Sequence, residues 1–236
     1  MFALSGEAWA GLLGGLGGAV VGGLISWLLQ WQARKADRAL RDAGRLERRT
    51  AIAHAIVYKL IAISSHYAVY RRGLEQAWER GASETPGSEP WQFVLASAHE
   101  PDPIHFTTDE MTLLVELGME EVFNSLLTLA EAHNQMGVLA GLYARRREEL
   151  SRGLPPTAFV DGRLVTEADR VTALRFRPLM IELNGLATTM RDFAARDAPD
   201  SLQTLERAHA QFASKLGIRW KLAKATDPVP SGGPFA

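Results

Sequence analysis

The chain has no cysteine, which removes disulfides, thiol catalysis and the commonest structural zinc sites. The phosphate-cradling GxxxxGK[ST], the zinc-binding HExxH, the nucleophile elbow GxSxG and a GxGxxG opening a helix after a strand are also missing. A formal net charge of -1 over 236 residues gives no global attraction to nucleic acid. No unit of 20 to 50 residues repeats, so a solenoid is not expected. The first eight residues carry only Glu7 as a charge, leaving no basic region for a cleaved signal peptide, and Leu28-Leu29-Gln30-Trp31 offers no small-x-small cleavage site.

Charge is absent over one long stretch as well. Between Glu7 and Arg34 lie 26 uncharged residues, enough for a helix to cross the ~30 Å hydrocarbon core at about 1.5 Å per residue. We expect a transmembrane helix over 9–31, after a short extracytoplasmic N-terminus over 1–8. Trp9 stands at one end and Trp27 and Trp31 at the other, the interfacial positions that indoles favour. Arg34, Lys35 and Arg38 follow at once, and basic flanks stay on the cytoplasmic side. The expected location is therefore the inner (plasma) membrane, single-pass, with the C-terminal part cytoplasmic.

The span is rich in glycine. Gly14, Gly18 and Gly22 are spaced by four, and Gly11, Gly15, Ala19 and Gly23 repeat that spacing beside them. Helices in lipid gain little by hiding apolar surface, so close backbone approach along such strips is what drives association. This glycine zipper predicts a homo-oligomer or a partner membrane helix, with the bilayer as the other partner.

Residues 32–50 read as a basic juxtamembrane helical stalk, with seven basic and three acidic residues between Arg34 and Arg49. The opposite bias follows, with eleven acidic residues and one basic from Glu75 to Glu121. A cytoplasmic helical domain is expected over 51–216. Ile52, Ile56, Leu60, Ile63, Tyr67, Tyr70 and Leu74 step by three and four along a helix reaching about Arg80, and 81–90 reads as a loop. Thr107 with Glu110 fits a capping box, Gly118 is placed to interrupt, and Val122 to Tyr143 carry a second stripe on a helix reaching about Ser151. Asp161-Gly162 between short apolar runs predicts a β-hairpin. Thr166 followed by Asp169 is expected to start a helix, kinked or split at Pro178, and a last one is capped by Asp200 or Ser201 and ended by Gly217. Residues 217–236 read as a tail. The fold class expected is all-α, a bundle with one short hairpin.

Candidate chemistry is sparse, and no catalytic residue is assigned. His133 and His209 fall on apolar stripes, and Glu206 with His209 forms a Glu-x-x-His pair, the spacing of carboxylate-bridged di-iron bundles. Only one such pair exists, so a buried, hydrogen-bonded histidine is the simpler expectation at each position, and no cofactor is expected. These readings predict a single-pass, membrane-anchored helical assembly protein without enzymatic activity. The alternatives are a membrane effector whose oligomerised spans form a pore or perturb the bilayer, and a helical metalloenzyme using His133, Glu206 and His209. No nucleic-acid partner is expected.

Overall fold

A computed structural model of the chain describes residues 6–84, 87–96, 101–154, 158–160, 163–165 and 169–218. The fold is all-helical: α1 (Gly6–Glu84), α2 (Pro90–Phe93), α3 (Thr108–Glu116), α4 (Glu120–Gly153) and α5 (Arg170–Leu216). Two compact units divide it, Met1–Ala51 and Ile52–Ala236.

The first unit is the leading part of α1. The six zipper glycines and Trp9 fall inside this helix, while their surroundings lie outside the described side chains, as do residues 1–5 of the expected N-terminus. Trp27 and Trp31 are exposed, and Lys35 sits over the Trp31 ring, 5.4 Å from its centre. Among the described residues, the stretch Leu40–Ser83 of α1 is long enough and holds an 18-residue window apolar enough, with mean hydropathy 1.3, to cross a membrane. The side chains of the expected span at 9–31 are, apart from Trp27, Gln30 and Trp31, outside the described set.

The second unit is built on α1, α4 and α5. Ile56, Leu60 and Ile63 are fully buried and Tyr67 nearly so, as their spacing predicts, and each such side chain contributes about 1.5–3 kcal/mol through burial. Part of the apolar character of this stretch of α1 is therefore used by the bundle core. That core falls into two clusters. One joins Ile56 and Leu60 of α1 to Leu126 of α4 and Phe212 of α5. The other joins Ile63 and Leu74 of α1 to Met136 and Tyr143 of α4 and Leu183 and Ala187 of α5. Residues of α1 and α4 thus pass from the first cluster to the second, while α5 runs the opposite way. Two helices with the same sense need a connection that returns along the bundle; Val94 lies in the second cluster and Phe106 packs against both. Asn134 on α4 ties down the described run before α3, accepting from the Ile104 N–H at 2.9 Å and donating to its carbonyl at 3.1 Å.

Local signals set several boundaries. Thr107 caps α3 with its side-chain oxygen while Glu110 reaches back to the Thr107 N–H at 2.6 Å. Gly118 adopts φ +60°, a left-handed conformation that closes α3 before α4 begins. Gly217 closes α5 in the same way.

Other expectations need correction. The region read as a loop over 81–90 instead continues α1 to Glu84, because Gly81 is buried and leaves room for the Phe93 ring. Pro178 does not split its helix, and Asp200 and Ser201 cap nothing: α5 runs unbroken through Pro178 and Pro199. An interior proline costs about 3 kcal/mol, but the turns around Pro199 bury Ala194, Asp197 and Ser201. The Ser201 hydroxyl donates to the Ala198 carbonyl at 2.8 Å, and packing on both sides of the proline outweighs its propensity. Ala158–Val160 pairs antiparallel with Arg163–Val165. The Asp161-Gly162 turn expected between them lies outside the described residues, and this two-stranded piece is a minor addition to a helical fold. Residues 219–236 of the expected tail also lie outside.

Candidate functional site

Where the two apolar clusters meet, the bundle carries polar side chains. His66 lies three residues beyond Ile63 on α1, and His133 lies four beyond Leu129 on α4, so regular helical spacing brings both inward. His133 is 2% exposed and His66 is half-buried. His66 Nδ1 and His133 Nε2 are 2.8 Å apart, with ring centres separated by 5.1 Å and planes 19° from parallel. A contact that short between rings that far apart runs nearly along the line of centres, so the pair is an in-line hydrogen bond rather than a face-to-face stack.

The surroundings fix which nitrogen donates. Asn134 spends its amide N–H on the Ile104 carbonyl, so its oxygen is the atom facing His133 Nδ1 at 3.3 Å. That oxygen can only accept. The proton therefore sits on His133 Nδ1, His133 Nε2 accepts, and His66 Nδ1–H donates. In the neutral pair His66 Nε2 is left with a lone pair. Burial holds the His133 pKa below the ordinary histidine value; the Asn134 hydrogen bond opposes this shift and the neighbouring His66 adds to it.

His66 forms part of the wall of a cavity of about 420 Å³. One face of α1 floors it, with His66, Val69, Gly73, Ala77 and Arg80 spaced by three and four; Leu95, Pro101 and Met190 close other sides. Asn134 contributes to a separate, wider groove of about 960 Å³ with Phe106, Leu127 and Val138. The sequence His66, His133, Asn134 thus links the wall of one hollow to the wall of the other through the core.

Two further polar groups sit in the core. Tyr67 donates to Asp197 Oδ2 at 3.2 Å, and Arg196 reaches the same carboxylate at 2.6 and 3.1 Å. Lys59 Nζ donates to Glu110 Oε2 at 2.7 Å and to the His105 carbonyl at 2.8 Å, tying α1 to the start of α3.

The residues singled out from sequence separate into unlike groups. His133 is buried and hydrogen-bonded, but its partner is His66. Glu206 is exposed and His209 half-buried on α5. Among the described residues no group of three or more His, Asp or Glu side chains is placed to hold a metal ion, so His133, Glu206 and His209 are not assembled into one. Arg34, Lys35 and Arg38 are exposed.

Sequence reasoning missed two features. His66 was not singled out, because its partner is 67 residues away and no local spacing joins them. The arginines after the expected span form one row: Arg34, Arg38, Arg41, Arg45 and Arg48 step by four and three on α1, in register with Trp27 and Trp31. That row was legible from periodicity alone. Neither a scan against family models nor searches of curated proteins and of solved structures finds a match to this chain.

Proposed function

We propose that this chain is a single-pass, membrane-anchored helical assembly protein of the inner membrane, without enzymatic activity, whose bundle faces the cytoplasm. The observation that carries the reading is the register of α1. A glycine-rich apolar segment, two exposed tryptophans and a row of five arginines follow one another on a single helix. Glycine strips let backbones approach in lipid, indoles favour the interface, and arginines beyond them meet anionic headgroups at about 1 kcal/mol each. The Arg41 guanidinium also bonds Asp37 at 2.6 Å, but this exposed pair is worth well under about 1 kcal/mol and leaves the row's excess of positive charge in place.

Topology is the test. A reporter fused after Ala236 is expected to be active only in the cytoplasm, with the protein in the membrane fraction. Periplasmic activity would overturn the orientation, and a shortened soluble product would overturn the anchor.

A further inference from the structure

We propose that the outward face of α5 is where a second copy of this chain docks, using the same stripe on both copies. Val171, Leu174, Pro178, Ile181 and Gly185 step by three and four along that face, the spacing that keeps one seam turned toward a partner helix. Its large side chains are open to solvent: Val171 is 78% exposed, Leu174 56% and Ile181 61%. The opposite side of α5 buries Leu183, Ala187 and Met190 in the core, so the stripe is a second apolar face on one helix. Gly185 closes it without a side chain, and a Cβ built there meets no atom within 4 Å, which leaves room for another backbone to come close.

The charges flanking the stripe favour a second copy as the occupant. Arg175 and Glu182 stand seven residues apart along one flank, and Arg177 stands on the other. Two copies docked in the same sense bring Arg177 of one toward Glu182 of the other, five positions on, the usual ionic pairing across a two-helix seam. In the opposite sense, the register that sets Leu174 against Gly185 brings Arg175 toward Glu182 of the other copy. Either contact forms twice by symmetry, so the face is complementary to itself, as a twofold interface requires. The Glu182 side chain is 40% exposed and accepts from Arg146 Nε at 3.0 Å; a carboxylate has a second oxygen for another guanidinium.

The stripe is smaller than a free-standing interface, which takes roughly 20 residues a side. Confinement of both copies to one bilayer raises their effective concentration and lets a small patch hold, so the inference rests on the proposed membrane anchoring.

The experiment is oxidative crosslinking of the full chain in native membranes, which the absence of native cysteine permits. Leu174→Cys, Gly185→Cys and the double variant are compared with Ser65→Cys, at an exposed position of α1, which reads the collisional background. Positions 174 and 185 lie about 17 Å apart on one helix, beyond the about 7 Å reach of a disulfide, so every bond formed joins two chains. Docking in the same sense gives dimer from each single variant; docking in the opposite sense gives it from the double variant alone. In either case the yield should exceed background several-fold. Adding Ile181→Glu, which sets a charge in the seam, should return it to background in protein that circular dichroism shows to be folded. Arg175→Glu with Arg177→Glu sets like charges against Glu182 and should cut the yield several-fold. Background yields in all three cysteine variants, or a band indifferent to either of these changes, would overturn the proposal. Fractionation reads the anchor separately: membrane-borne protein without the band overturns the docking face alone. Soluble protein overturns the anchor, and the docking face then stands if the band persists and falls if it does not.

Discussion

Replacing His133 with leucine tests the histidine pair by its energetics. The substitution removes the 2.8 Å bond to His66 and the weaker 3.3 Å contact with Asn134. Asn134 keeps its two bonds to Ile104, so the group stranded is the His66 Nδ1–H. An unsatisfied buried donor costs about 1–3 kcal/mol, and half-buried His66 places this case near the middle, about 2 kcal/mol. A leucine in a site that leaves His133 only 2% exposed returns about 1 kcal/mol of transfer energy. The net expectation is a loss of about 1 kcal/mol. His66→Leu strands the Nε2 acceptor of His133 and should cost about the same. Replacing both removes donor and acceptor together, so the double variant should cost less than the sum of the two, with coupling of about 1 kcal/mol. Urea unfolding of the full chain at pH 8, followed by circular dichroism, measures all three.

Acid adds a second arm to that cycle. His133 is held below the ordinary value of 6.5 chiefly by burial, so between its folded pKa and 6.5 the unfolded chain binds a proton that the folded chain refuses. The stabilising contribution of neutral His133 is complete above about pH 6.5 and is lost as pH falls toward the folded pKa. The wild-type urea midpoint should therefore fall over that window, and His133→Leu should flatten the fall. Strictly additive losses at pH 8, together with an unchanged acid slope in the variant, would refute the assigned pairing.

Lys59→Met leaves the Glu110 carboxylate, 6% exposed, with the Thr107 N–H but no cation. A stranded buried charge costs about 3–5 kcal/mol; because Lys59 is itself 26% exposed, the expected loss is about 2 kcal/mol, and adding Glu110→Gln should recover part of it. Gly118→Ala forces a Cβ into φ +60° and should cost about 1 kcal/mol in urea unfolding, whereas Gly44→Ala, on an exposed part of α1 with open space at its Cβ, should be neutral or slightly stabilising.

What the sequence disclosed depended on distance along the chain. The α1 stripe, the Thr107–Glu110 box and the Gly118 and Gly217 closures are set by neighbours within a turn or two, and periodicity or backbone sterics expose them. Pro178 and the expected cap at Asp200 or Ser201 misled because those signals are local while the packing that overrides them is contributed by residues such as Tyr67, 130 positions from Asp197. The histidine pair was illegible for the same reason: His133 lay on a visible apolar stripe, but the atom that satisfies it comes from another helix. The cavity follows from where Val94, Leu95 and Pro101 settle beside α1 and Met190 of α5, which no spacing around those residues specifies.

Assembly through the glycine strip is the central claim. Because the chain lacks cysteine, a single cysteine at Leu16, away from the Gly14–Gly18–Gly22 strip, can serve as a bystander position, with Val21, which neighbours the strip, as the reporter of contact. Oxidative crosslinking of the full chain in native membranes is the measurement, made with Gly18 and with Gly18→Ile. With Gly18, crosslinking at Val21 should exceed that at Leu16; with isoleucine it should fall several-fold, since an interhelical contact in lipid is worth about 1 kcal/mol, while membrane insertion is kept. Equal crosslinking at the two cysteine positions, or no change on Gly18→Ile, would contradict the account.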